Sequence, residues 1–168
     1  MNASEREKRN LELSAARRFA SIYSRQYETP AIFLTHNLPA KPDVTCRIGN
    51  NKQDIEIAHL YGSEAEAQSI LGKPISPSTC DELKLQHAQS NTDDRLVAAL
   101  NRILQRKAEK HYASDNVWLV IQNAHPHWHG LTIQANLCKV NMPSQHPLSQ
   151  VWLISSMRNN AQLIRLYP

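Results

Sequence analysis

The stretch PDVTCRIGNNKQDIEIAHLYG, residues 42–62, carries two runs of alternating side chains separated by polar residues. Val44, Cys46 and Ile48 alternate with Thr45 and Arg47, and Ile55 and Ile57 alternate with Asp54, Glu56 and Ala58. Successive side chains on a strand point to opposite faces, so each run predicts a strand with one apolar face. Asn50-Asn51 is a turn signal, and two strands joined by a tight polar turn predict a hairpin. The same alternation puts Asp54, Glu56 and Ala58 on one face and Ile55, Ile57 and His59 on the other. Asp43 enters the neighbouring strand, so a register exists in which it stands beside Asp54 or Glu56.

Upstream, residues 4–27 predict a helix. Leu11, Ala15, Phe19 and Ile22 recur at helical spacing, Ser4 with Glu7 forms a capping-box pattern, and Thr29-Pro30 ends the run. AIFLTH, residues 31–36, predicts a strand. Downstream, residues 62–92 form an irregular insert in which SEAEAQSIL suits a short helix. Asn91 or Thr92 caps a second long helix running to about Tyr112, with Asp93 and Asp94 at its positive end. VWLVIQN reads as a central buried strand, and LTIQANL, VWLISS and QLIRLY as further strands. The expected fold is α/β: one domain over residues 1–168, a mixed central sheet with flanking helices and extra C-terminal strands.

Composition narrows the chemistry. The chain of 168 residues holds four glycines, Gly49, Gly62, Gly72 and Gly130, too scattered for any glycine-rich phosphate cradle or nucleophile elbow. A phosphate-handling role must then rest on side chains. The net charge of +4 leans towards anionic partners. Cys46, Cys80 and Cys138, odd in number and without a C-x-x-C, suit a reducing compartment. No apolar region follows the charged N-terminus and no stretch suits a membrane helix, so the expectation is a cytoplasmic protein with no membrane association.

Clustered carboxylates near a sheet end are costly unless a cation neutralises them, and Mg²⁺ takes one or two carboxylates together with waters and phosphate oxygens. Asp43, Asp54 and Glu56 are the candidate ligands. Lys107 is the candidate cation on the following helix. With Leu96 at zero on a wheel of about 100° per residue, Lys107 falls at about 20°, between Leu100 and Ile103. A lysine in an apolar stripe either snorkels to water or points at something anionic. Lys110 flanks it.

Pro42-Asp43, Glu56 and the order helix–three strands–helix–strand over about residues 4–122 resemble the PD-(D/E)xK nuclease-like superfamily, the fold of many restriction and repair endonucleases. The resemblance implies a restriction-endonuclease-like αβββαβ core and metal-dependent hydrolysis of DNA phosphodiester bonds. Asp43 and Glu56 would then be catalytic acids on Mg²⁺ or Mn²⁺, and DNA the partner; a homodimer is compatible. The sequence departs from the pattern at Ala58, where the family has its lysine. Either Asp54 is the second acid and Glu56 fills the lysine position, or Lys107 supplies the base from the helix. Glu12, in the first helix, is a further acid the fold would bring close.

Other readings stay open. A nuclease fold without catalysis would serve as a module binding nucleic acid or a protein. His125, His127 and His129 alternate in HPHWHG; an extended chain would put all three on one side at a transition-metal spacing, while a histidine-rich surface loop is the simpler reading. Trp128 between them is a candidate exposed stacking ring, and Arg102 and Arg106 lie off the apolar stripe as solvated charges.

Overall fold

The computed structural model describes residues 3–38, 42–72, 76–78, 81, 85 and 91–168. Cys80 and most of the insert after residue 72 lie outside these. Helix α1 spans Ala3–Tyr27, followed by strands β1 (Ala31–His36), β2 (Val44–Ile48) and β3 (Asn51–Leu60). Helix α2 is Glu64–Ile70 and α3 is Thr92–Ala108. Strand β4 is Val117–Asn123, α4 is Gly130–Ala135, and β5 (Leu148–Ile154) and β6 (Leu163–Tyr167) close the chain. The strands form one six-stranded mixed sheet in sequence order. Strands β3, β4 and β5 run parallel, and the remaining pairs are antiparallel.

The predicted hairpin turns on Gly49 and Asn50, one residue earlier than the Asn-Asn signal, because Gly49 takes φ +57 at no steric cost. Its register pairs Val44 with Ile55 and Thr45 with Asp54. Each face then packs a different helix. Val44, Cys46, Ile55 and Ile57 turn to α1, where Phe19 sits fully buried against Trp118 and Trp152. Ala58, Leu60 and Leu119 turn to Leu96, Leu100 and Leu104 of α3. The cap of α3 is Asn91, whose side chain accepts a hydrogen bond from the Asp93 amide at 3.1 Å. That helix ends at Ala108, four residues short of the expected Tyr112. Ser4 lies inside the first turn of α1, not at its cap.

LTIQANL is not a strand. It is α4 and the turn after it, with Ile133 buried and Leu131 exposed. Parallel strands need a crossover connection, and this segment supplies the one between β4 and β5; a strand here would have no place in the sheet. Cys46 is buried, and loss of solvent pushes its thiol up to about 12, so it is an unreactive packing group. Among the described residues no helix is long and apolar enough to cross a membrane.

Phe19 anchors the aromatic cluster that fastens α1 to the sheet. Phe19→Ala is expected to cost about 3–5 kcal/mol, the usual range for truncating a buried ring. Urea unfolding of the two proteins checks it.

Candidate active site

The pairing of β2 with β3 stops at Val44–Ile55. One step further along the register, Asp43 stands opposite Glu56. Beyond that point β3 has no partner on its β2 side, so the Ile57 amide would be left unpaired inside the protein. The Asp43 carboxylate takes it: Oδ2 accepts from Ile57 N at 2.8 Å. Asn37 braces the approach, its backbone N–H donating to the Asp43 carbonyl at 2.9 Å and its side chain to the Pro42 carbonyl at 2.9 Å.

Glu56 points to the α3 face and is almost completely buried. Its Oε1 accepts from Lys107 Nζ at 2.7 Å and from Lys110 Nζ at 2.7 Å. Lys107 also donates to the Ile57 carbonyl at 2.9 Å. The lysine in the apolar stripe therefore points at the anion, with Asp43, Glu56 and Lys107 gathered around the end of β2. Glu56 Oε2 is buried with no hydrogen-bond partner among the described residues.

Asp54 is not drawn into this group. Thr45 Oγ1 donates to its Oδ1 at 2.7 Å, across the hairpin. The register puts Glu56, not Asp54, opposite Asp43. No group of three metal-ligating side chains is present among the described residues. The orphan oxygen of Glu56 beside Asp43 nonetheless fits Mg²⁺, which binds through one or two carboxylates and completes its shell with water and substrate oxygens.

Burial and the neighbouring Glu56 carboxylate push Asp43 up to about 6, and Glu12 adds to the shift. Burial acts against the charge on Glu56 too, but its two ammonium partners outweigh it and hold it below the usual carboxylate range. Lys107 is depressed by burial despite Glu56. On the more exposed Lys110, burial opposes the charge, but the Glu56 carboxylate outweighs it and raises the value. Burial takes the His59 imidazole down to about 4, leaving it neutral at physiological pH.

Two neighbours escaped the sequence reading. His36, the last residue of β1, faces α1 and holds Glu12 through Nε2–Oε2 at 2.7 Å, which fixes that buried acid next to the site. The only signal was a polar residue ending an apolar strand. Tyr112 is half-buried near Glu56 and Asp43; burial and these two carboxylates raise its phenol.

HPHWHG does not present three imidazoles on one side. Asn123 winds the segment into a turn: its side chain donates to the Trp128 carbonyl at 2.7 Å and accepts from the His125 amide at 3.0 Å. His125 is buried and stacked on Trp128 with centroids 4.0 Å apart, while His127 and His129 are exposed. Trp128 is buried too, so it offers no surface for a base.

The raised Asp43 makes a testable statement. A carboxyl that holds its proton more tightly in the fold than in the unfolded chain destabilises the fold as pH rises from the unfolded value of 3.8 towards 6, and the loss is complete above that. Asp43→Asn keeps an oxygen for the Ile57 amide and removes the cost. The variant should match wild type near pH 3 and be the more stable of the two at pH 7. Urea unfolding at both pH values decides this; a difference independent of pH contradicts it.

Comparison of the chain with protein-family models, with curated proteins and with solved structures finds no match.

Proposed function

We propose that the chain is a metal-dependent endonuclease-like protein of the PD-(D/E)xK type, hydrolysing phosphodiester bonds in DNA. The observation that carries the reading is Lys107, delivered by α3 to Glu56 at the point where Asp43 and Glu56 meet. It stands in for the lysine that Ala58 replaces on the strand. The order of helix, three strands, helix and strand supports the same assignment.

Asp43 and Glu56 would hold Mg²⁺ or Mn²⁺. When bound, the metal supplies a lowered pKa for the attacking water and charge neutralisation at the scissile phosphate. The protein's own groups do the positioning. An ammonium has three N–H donors; Lys107 uses two on Glu56 and the Ile57 carbonyl and keeps one for a water or a phosphate oxygen. Asp43 is fixed by the Ile57 amide through one oxygen, leaving the other.

A second reading keeps the fold as a non-catalytic nucleic-acid or protein-binding module. The observation favouring it is that Lys107 and Lys110 both already neutralise Glu56, as a purely structural ion cluster would.

Nicking of plasmid and cleavage of single-stranded DNA with Mg²⁺ or Mn²⁺ separates the two. Asp43→Ala, Glu56→Ala and Lys107→Ala are each expected to reduce cleavage at least 100-fold; an inactive wild type, or undiminished activity in these variants, sinks the hydrolase reading. A cation that binds only the fold should also stabilise it. Mg²⁺ at ten times its Kd should add about 1.4 kcal/mol to wild type and nothing to Asp43→Asn, as read from the shift in Tm.

A further inference from the structure

A pocket of about 250 Å³ opens between the carboxyl end of β3, the start of α2 and α3. His59 and Tyr61 line it together with Arg102 and Arg106, and Ala67, Ala99 and Ile103 add apolar surface. The His59 and Tyr61 rings lie with centroids 6.3 Å apart and planes inclined by 21°, so their faces run nearly in the same direction. Two near-parallel aromatic rings thus line one pocket.

Two guanidiniums border it. Arg102 donates to the Gly62 carbonyl at 3.3 Å, which spends one of its five donors. Among the described residues neither Arg102 nor Arg106 has a carboxylate partner. The nearby acids are Glu7 and Glu12 of α1, which act on Tyr61 and His59, and Glu66 of α2, which lies beside Gly62 and pairs with Arg95. Apolar surface, two aromatic rings and two cations with no carboxylate partner among the described residues call for a planar ligand carrying an anion.

Size and position narrow this further. The volume falls below the roughly 300–1,000 Å³ of pockets that enclose drug-sized molecules, so it suits one ring system with an adjoining charge outside. Lys107 directly follows Arg106, and its carbonyl partner Ile57 lies two residues before His59. The pocket and the carboxylate site are thus built on the same two elements, β3 and α3.

We propose that this pocket is a nucleotide subsite, in which a nucleobase stacks on Tyr61 and His59 while Arg102 and Arg106 hold the adjoining phosphate. It takes its place beside the reacting phosphate from the nuclease reading above, but binding alone is enough to test it.

The probe is a short fluorescein-labelled oligodeoxynucleotide, single-stranded, titrated with the protein in EDTA and read by anisotropy. Tyr61→Leu should weaken binding about 5- to 150-fold, the range for one lost base stack, while Tyr61→Phe stays close to wild type. Arg102→Gln with Arg106→Gln should lower the slope of log Kd against log salt by about 0.7 for each phosphate that the pair neutralises. Removing charges of the same sign at the exposed Lys52 and Lys139 should leave that slope near wild type. Competition by dAMP as well as by unlabelled oligonucleotide supports a pocket that takes a lone nucleotide; competition by the oligonucleotide alone supports a nucleotide held within a strand.

A wild type that binds no oligonucleotide overturns the proposal, as does unchanged affinity and salt slope in both Tyr61→Leu and the arginine pair. These outcomes separate from failure of the hydrolase reading. A wild type that binds through this pocket and never cuts sinks hydrolysis alone. A wild type that cuts, with KM unmoved by Tyr61→Leu and by the arginine pair, sinks the subsite alone.

Discussion

Glu56 is a carboxylate withdrawn from water in the middle of a strand, and its neutralisation ties the α3 half of the molecule to the hairpin. Desolvating an ion costs several kcal/mol, which a partner recovers only with short, well-directed contacts. Lys107 and Lys110 provide two, and both come from the C-terminal part of α3 and the turn after it. The rotation of α3 about its own axis is therefore coupled to the sheet by charge as well as by the packing of Leu96, Leu100 and Leu104. The lysine stem contributes apolar surface to that packing while its head reaches the acid.

The same site depends on a strand that stops early. Had β2 continued past Val44, the Ile57 amide and carbonyl would have joined a ladder, and neither Asp43 nor Lys107 would have had a backbone group to hold. Ending the pairing there converts two ladder positions into anchors for an acid and a base. Asp43 sits close enough to Glu56 for each to disfavour the charge of the other, which is the electrostatic situation a divalent cation relieves.

Much of this was legible in the residues because strand and helix periods are short and local. The alternation around Ile55 and Ile57 set which acids share a face, and the wheel angle of Lys107 marked it as out of place. The misreadings share a cause. LTIQANL alternates like a strand, but the sheet's connectivity, not its local pattern, decided its role as a crossover. The three histidines of HPHWHG depend on Asn123, a residue outside the motif, to wind the turn that separates them. Arg102 and Arg106 are exposed, as their place off the apolar stripe implies, but a wheel reports only a helix's own face and could not show the pocket they border with His59 and Tyr61. His36 gave almost no signal, since its partner Glu12 is a full strand and helix away.

The parallel pairing of β3 with β4 carries a kinetic consequence. Strands β1, β2 and β3 follow one another closely in the sequence, whereas residues 61–116 separate β3 from β4. Contacts close in sequence pay little loop entropy and form early; those across a long crossover form late. In refolding, the acids of the hairpin should therefore assemble first, with Glu56 still hydrated, and α3 should bring its ammoniums only as the crossover closes. The step that dehydrates Glu56 is then the step that completes the sheet, so an α3 that arrives without its lysines would leave the parallel half of the fold slow to close.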